Sequence, residues 1–538
     1  MRMAPALRLA LAAALLHLVL IQPNHPEALT WGALRLFPLE LPVILLAMLV
    51  LPATGLFSRL VRGALVAALL LLAVVKVADF GTFTAFNRAF SPVLDLHLID
   101  AAWRLGSGTI GTLPALGVVL GALAGLGALG WGLWWALRTW AALRLPRGGA
   151  GVAALGAVLA AGMAVAEIGQ ALRVWTLPAQ PPGAAFTARV GWERAQQWRA
   201  ALADLADFRE AAQADPHATA TDLFTRIGNR DVLVIFVESY ARASIDNPLY
   251  STTHLPRLQA AEAQLAAAGQ AVRSGWLTSP ISGGQSWLAH GTLASGLNTG
   301  NQTRYTAMLG SPRRTLWHLA QASGYETVAV GPALQLPWPE ADLLGFDRVL
   351  NAQALDYRGQ PFNWITMPDQ FTLAVWEDRL PPRDRPRFVQ MALISSHAPW
   401  VPVPRMVPWE DVGDGTIFDQ WATAGDPPDV VWRDRDRVRD QYRQSIDYAL
   451  QAVFDYAARR AGPDGPLILV LGDHPPVAFV SQMPGTAVPA HLIGPADLVE
   501  AATGWGWTPG LIPGPGAPDW PMEDFRDRFI AAFTGPAP

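Results

Sequence analysis

Apolar positions are unevenly spread along this chain. The first third carries five nearly continuous apolar runs, near Leu7–Ile21, Leu36–Phe57, Val61–Phe80, Leu113–Leu137 and Gly149–Leu172. A helix needs about 20 such residues to cross the hydrocarbon core of a bilayer, with a range of roughly 17–25. The pattern therefore predicts five membrane spans. The first run is short enough for a secretory signal, but Gln22-Pro23-Asn24-His25-Pro26 offers no A-x-A-like cleavage site, and it is read as a span. Buried core helices are the alternative reading; the length of the runs and the placing of arginine argue against it. Arg2 and Arg8 precede the first run, Arg59 and Arg62 lie just after the second, and Arg138, Arg144 and Arg147 follow the fourth. All seven share one face if the N-terminus is cytoplasmic. Five crossings then put everything after residue 172 outside the cytoplasm, as expected for a bacterial inner-membrane protein with a periplasmic domain. Lys76, Asp79 and Glu167 lie near the ends of runs, where snorkelling to the interface is cheap.

The pattern changes after residue 172. A Pro-rich stretch (Leu177 to Gly183) leads into residues 190–215, where Trp192, Trp198, Leu202, Leu205 and Phe208 recur among charges as on an amphipathic helix. Such a helix suits a membrane surface, or equally a connector packed on a soluble domain. From residue 230, continuous apolar runs of strand length alternate with helical patterns. The runs are Asp231–Val237, Thr327–Val330, Arg387–Ile394 and Pro466–Leu471; the helical patterns are Leu255–Ala268, Trp287–Leu297, Thr315–Ser323 and Arg437–Arg460. Runs with no polar face suit strands buried on both sides of a sheet. The expected fold is an α/β domain with a mostly parallel sheet and flanking helices, below a five-helix transmembrane bundle. The expected division is 1–172 (spans), 173–229 (linker) and 230–538 (extracytoplasmic catalytic domain). The Gly/Pro-rich segment 504–519 reads as irregular surface.

Composition sharpens the division. Only 16% of residues are charged against 51% hydrophobic, well below the share of about a quarter usual in soluble domains. The first 172 residues carry eleven Lys/Arg against six Asp/Glu, and the remainder twenty-nine against thirty-eight. A small soluble enzyme, a disordered chain and a basic nucleic-acid binder are excluded. The chain has no cysteine, which excludes a thiol nucleophile, thiolate metal sites, disulfides and the formylglycine precursor of most sulfatases. Few ionisable residues interrupt the spans, which disfavours a transporter or channel.

Ligands of open α/β folds bind at the carboxyl ends of the strands, so the residues following each run matter most. They are Glu238-Ser239-Tyr240, Ser395-Ser396-His397-Ala398-Pro399-Trp400 and Gly472-Asp473-His474-Pro475. Two carboxylates and imidazole delivered to one edge suit a divalent cation such as Mn²⁺ or Zn²⁺, with Mg²⁺ as a further option. Singly, Glu238 could cap a helix, His397 could be a loop histidine and Asp473-His474 a turn. A Gly-rich loop, Ser279 to Gln285, runs into a helix that Ser286 should begin. There the helix dipole and free N–H groups favour a phosphoryl group, and metal coordination would lower the hydroxyl pKa. An ordinary Ser N-cap is the plainer reading of Ser286, and a packed helix histidine that of His290.

Taken in order, Phe236-Val237-Glu238-Ser239-Tyr240, the Gly-rich loop, Ser396-His397-Ala398-Pro399-Trp400 and Gly472-Asp473-His474 resemble the alkaline-phosphatase/sulfatase superfamily. Within it the chain looks like the membrane-anchored branch of lipoteichoic-acid synthases and phosphoethanolamine or phosphoglycerol transferases. That resemblance implies Glu238, Ser286, Asp473 and His474 as metal ligands, with Ser286 in the place of the branch's nucleophilic Thr. It implies His397 as a substrate-binding histidine, and Asp369 and Trp364 as pocket residues; His290, four residues after Ser286 and so on the same helix face, is a further substrate-binding candidate. The resemblance further implies a phospholipid donor, a glycan or lipid acceptor, and transfer of phosphoglycerol or phosphoethanolamine. A phosphodiesterase or sulfatase-type hydrolase on the same site, or a catalytically silent lipid-binding regulator, are the alternatives. The chain departs from the resemblance in its Ser nucleophile, in Pro475-Pro476 after the Asp-His pair, and in lacking the sulfatase x-Pro-x-Arg signature after Ser286.

Overall fold

In the computed structural model, residues 4–86, 89–96, 98–146 and 148–535 are described. Arg2 and Arg147 lie outside them. Two compact units emerge, Met1–Asp204 and Leu205–Pro538.

The first unit is helical: α1 (Pro5–Ile21), α2 (Glu40–Val50), α3 (Leu56–Phe86), α4 (Leu98–Ile110), α5 (Thr112–Ala141) and α6 (Gly149–Ala171), followed by α7 (Phe186–Gln213), within which the unit boundary falls. Three of these, α3, α5 and α6, are long and apolar enough to cross a membrane. The first two expected spans are shorter helices of 17 and 11 residues. Pro38 and Pro52 bracket α2, and at 1.5 Å per residue it reaches only about 16 Å. α4 was not legible as an element, because Asp100, Arg104, Gly106 and Gly108 interrupt its apolar face. Arg8 lies over the Trp135 ring (6.0 Å) and Arg62 over the Trp134 ring (5.6 Å), so one bundle end gathers guanidinium groups from α1 and α3 on rings of α5.

Lys76, Asp79 and Glu167 do not snorkel. Lys76 and Asp79 are fully buried and Glu167 nearly so, and all three hold the start of α7. Asp79 accepts from the Arg194 guanidinium (2.7 and 3.2 Å), from Asn24 Nδ2 (3.0 Å) and from the Phe90 N–H (2.9 Å). Lys76 donates to Thr187 Oγ1 (2.6 Å) and to the Leu20 carbonyl (3.1 Å). Glu40 and Glu167 accept from the Ala188 and Ala185 N–H groups (2.8 and 2.9 Å), which places two carboxylates where the helix dipole favours them.

The second unit is built on one nine-stranded sheet in the order β4-β3-β5-β1-β6-β7-β2-β8, with β9 on β2. The strands are β1 (Val232–Val237), β2 (Ala271–Thr278), β3 (Glu326–Gly331), β4 (Arg348–Asn351), β5 (Arg387–Leu393), β6 (Leu467–Gly472), β7 (Ala487–Gly494), β8 (Thr508–Pro509) and β9 (Asp519–Pro521). The half from β4 to β6 is parallel, as expected. The other half is not: β7 runs antiparallel to β6, and β2 antiparallel to β7 and β8. The sheet is therefore mixed. β2 and β7 escaped sequence reading because Arg273, Ser274, Pro489 and His491 interrupt their apolar runs.

Burial on both faces follows from the strand period of two. Leu233, Ile235 and Val237 point into one core with Val389, Met391, Ile468 and Val470. Val232, Val234 and Phe236 point into the other with Phe388, Leu467, Leu469 and Leu471. The register is the consequence that matters for chemistry. Val237 at the end of β1 pairs with Leu393 on one side and Gly472 on the other, so the residues following β1, β5 and β6 emerge side by side.

Candidate active site

Glu238 and Asp473 each follow directly on one of those strand ends. The chain turns sharply after both. Ser239 takes a left-handed conformation (φ 60°), and its N–H and that of His474 both donate to Asp473 Oδ1 (2.8 and 2.7 Å). Gly472 is required here: a Cβ on it would lie 1.7 Å from the Tyr240 carbonyl oxygen. Tyr442 OH, on the helix Arg435–Arg459, donates to the Ser239 carbonyl (2.9 Å), and Ser396 Oγ donates to that of Glu238 (2.6 Å). That helix thus supports the site.

Ser286 comes from the far side of the sheet. Gly283, Gly284 and Gln285 have φ of 74°, 124° and 66°, three successive positive values that turn the loop abruptly into the helix Ser286–Ser295. A left-handed non-glycine residue such as Gln285 costs of order 1–3 kcal/mol, and such strain clusters at functional sites. The turn delivers the Ser286 hydroxyl into contact with both other segments. Oγ donates to Glu238 Oε2 (2.9 Å) and lies 3.2 Å from His474 Nε2. His474 Nε2 is in turn 3.3 Å from Glu238 Oε1 and 3.7 Å from Asp473 Oδ2.

The donor set fits a divalent cation. Ligand atoms of Glu238, Asp473 and His474 lie within 4.8 Å of one another, and all three residues are buried. Two buried carboxylates against one imidazole is an unbalanced arrangement, and it shifts all three groups. Burial alone would raise the Glu238 carboxyl, but the His474 imidazolium outweighs it and holds Glu238 below the usual carboxylate range. Asp473 is pushed up, by burial first and by Glu238 second. His474 is pushed up by Asp473 and Glu238 in spite of its own burial. The carboxylates draw a proton onto His474, the positive charge a bound cation would replace.

A cavity of about 480 Å³ opens beside this cluster and is lined by Glu238, Ser286, His290, His397 and Asp473. His397 stands at its exposed side, with Nδ1 against the Ala398 carbonyl. His290 is buried against Phe236 (ring centroids 4.0 Å), and burial lowers its pKa to about 4, so it is neutral at physiological pH. Two residues expected at the pocket lie elsewhere. The cavity wall includes neither Asp369 nor Trp364. Asp369 is fully buried and accepts through Oδ1 from the Ile394 and Ser395 N–H groups (both 2.8 Å), fixing the strand end that carries His397. Trp364 is 75% exposed. Sequence reading missed Trp287, Tyr305, Trp338, Glu340 and Gln390, which do line the cavity. Gln390 alone left a signal, as the polar residue inside an apolar strand run.

The family model described as Sulfatase matches residues 230–492, the stretch from before β1 into β7. That match spans a little under half of the chain. No curated protein matches the sequence significantly. Among solved structures the chain is similar to the lipooligosaccharide phosphoethanolamine transferase EptA from Neisseria meningitidis, at 14% identity, 98% coverage of this chain and 95% of that one, with a TM-score of 0.47. It is also similar to the phosphoglycerol transferase GacH of Streptococcus pyogenes (11% identity, 61% and 91% coverage, TM-score 0.36). A third match is the lipoteichoic acid synthase LtaP from Listeria monocytogenes (12% identity, 55% and 71% coverage, TM-score 0.35).

Proposed function

We propose that the protein is a membrane-bound, metal-dependent transferase that moves a phospho-headgroup from a phospholipid, through Ser286, to an extracytoplasmic glycan or lipid acceptor. The observation that carries this reading is the contact of Ser286 Oγ with Glu238 and His474, at the head of a helix that opens on the cavity. Glu238, Asp473 and His474, with Ser286, would hold the cation, which supplies Lewis-acid polarisation and a lowered hydroxyl pKa when bound. Glu238 Oε2 orients the Ser286 hydroxyl and receives its proton as Oγ attacks phosphorus. The first-turn N–H groups of Ser286–Ser295 face the charge that develops on the phosphoryl oxygens. The phosphorus–oxygen bond to glycerol breaks, and diacylglycerol leaves with a proton from His397 at the mouth of the cavity. An acceptor hydroxyl then attacks the phosphoserine and gives its proton to His397, and as the phosphorus–Oγ bond breaks Glu238 returns its proton to Ser286. Apolar helices in the same chain suit a donor that resides in the bilayer.

The test is diacylglycerol release by the full chain in detergent with Mn²⁺ or Zn²⁺ and labelled phosphatidylglycerol or phosphatidylethanolamine. Wild type is expected to release it and to carry a phospho-headgroup on Ser286 by mass spectrometry, and Ser286→Ala to do neither. Release that persists in Ser286→Ala would overturn the mechanism. No release from either lipid by the metal-loaded protein would overturn the substrate class.

A further inference from the structure

Beyond Ser286 the cavity changes character. Trp287, Tyr305 and Trp338 line it together with Ala333 and Leu334, and no Lys or Arg stands among its lining residues. Trp287 is fixed by its indole N–H, which donates to Gln302 Oε1 (2.9 Å), and Trp338 by its ring against Phe346 (centroids 5.9 Å). Tyr305 packs so closely on the nucleophile helix that a Cβ at Gly291 would lie 2.9 Å from its ring.

The Glu340 carboxylate, the Tyr305 hydroxyl and the Gln390 amide in this apolar wall have no hydrogen-bond or ion-pair partner among the described residues, and neither do the Trp338 indole N–H and His290 Nε2 in the same cavity. Tyr305 and Gln390 are only 4% and 6% exposed, and Glu340 is half-buried. The charge of Glu340 reaches Tyr305, whose phenol is pushed up first by burial and then by that carboxylate. Groups of this kind are hydrogen-bonded in native interiors unless a ligand completes them. The wall offers three acceptors, one of them anionic, among aromatic rings whose faces attract cations.

On the reading of the site as a headgroup transferase, we infer that Trp287, Tyr305, Trp338, Glu340 and Gln390 receive a primary alkylammonium, so that the transferred headgroup is phosphoethanolamine and not phosphoglycerol. A primary ammonium has three N–H donors, matched by Glu340, Tyr305 Oη and Gln390 Oε1. A glycerol headgroup would leave the Glu340 charge unbalanced in an apolar wall. A quaternary ammonium could use the rings but would leave all three acceptors unpaired.

The experiment uses the full chain in detergent, loaded with Mn²⁺, and mixed micelles containing phosphatidylethanolamine, phosphatidylcholine or phosphatidylglycerol. Diacylglycerol release is measured for each, with metal binding as the check on folding. Phosphatidylethanolamine is expected to be preferred over both others by about ten- to a hundredfold, the worth of one hydrogen bond to a charged group. Glu340→Gln is expected to remove most of that preference, Glu340→Asp to restore part of it, and Trp338→Leu to raise KM for phosphatidylethanolamine more than it lowers kcat. Preference for phosphatidylglycerol or phosphatidylcholine, or a preference unchanged in Glu340→Gln, would overturn the inference and leave the transferase reading standing. No turnover of any of the three lipids by metal-loaded protein would overturn both.

Discussion

Asp369 titrates where stability can be measured, and Asp369→Asn isolates it. The carboxyl is fully buried, and burial raises its pKa from 3.8 to about 6, against the opposing pull of the Ile394 and Ser395 N–H groups. Oδ2 has no partner among the described residues. An acid whose folded pKa lies above its unfolded value binds more protons in the native state between the two. Stability from this group is therefore full below the unfolded pKa, falls as pH rises towards 6, and is flat above. A shift of about two units corresponds to roughly 3 kcal/mol lost between pH ~4 and ~7. Asn at 369 keeps the Oδ1 acceptor for both N–H groups and cannot ionise. The variant is expected to match or trail wild type near pH ~4 and to exceed it by about 2 kcal/mol near pH ~7.5, the unpaired amide taking back part of the gain. Urea unfolding of both full-length proteins in detergent, followed by tryptophan fluorescence across this range, measures the difference directly. A difference between the two proteins that stays constant with pH would refute the reasoning, because it would mean that Asp369 does not titrate within the range.

Other consequences are open to measurement. Saturating Mn²⁺ or Zn²⁺, at a hundred times Kd, is expected to stabilise wild type by about 2.7 kcal/mol, seen as a raised melting temperature, and to do so far less for Glu238→Gln; equal stabilisation of Glu238→Gln would remove Glu238 from the ligand set. Gly472→Ala forces backbone atoms apart at the β6 end, so a loss above about 4 kcal/mol is expected, read as absent folded protein by size-exclusion chromatography. Asp79→Ala strands the buried Arg194 guanidinium and should cost about 3–5 kcal/mol, whereas Asp79→Ala with Arg194→Leu should recover much of it in a thermal melt. Ile235→Ala, in the central strand, should cost about 2–5 kcal/mol without changing metal affinity.

The parallel half of the sheet was legible because strands buried on both faces write uninterrupted apolar runs, as in Asp231–Val237 and Pro466–Leu471. The antiparallel half was not, because β2 and β7 carry residues whose partners lie far away in sequence. Ser274 Oγ, for instance, meets His491 Nδ1 at 2.8 Å across the β2–β7 pair. The metal-type residues were legible for a topological reason: strand ends in a parallel sheet share an edge, so motifs following three adjacent strands converge. Asp369 carried no such marker. Whether a carboxylate faces a cavity or turns back onto its neighbours' N–H groups depends on a rotamer that no local pattern encodes. The wall of Trp287, Tyr305, Trp338, Glu340 and Gln390 was invisible for a related reason, being assembled from four separate segments with no spacing rule between them.

Two of the charge clusters buried among the described residues differ in kind, and the contrast between them separates structure from chemistry. At α3, Asp79 receives donors from Arg194, Asn24 and a backbone N–H, while Lys76 finds Thr187 and a carbonyl. Each charge there has its opposite or enough dipoles to stand in for it, so the cluster is complete in itself and holds α7 in place. At the β1 and β6 ends the tally does not close. Glu238 and Asp473 share the His474 imidazole, while the Ser286 and Ser239 hydroxyls donate to Glu238 and two backbone N–H groups to Asp473, none of them carrying a full charge. Burying a second carboxylate without a counter-charge costs several kcal/mol, and the fold adds strained backbone at Ser239 and Gln285 to place it there. A polypeptide has nothing to gain in stability from that arrangement. It is intelligible if the missing positive charge comes from a bound cation.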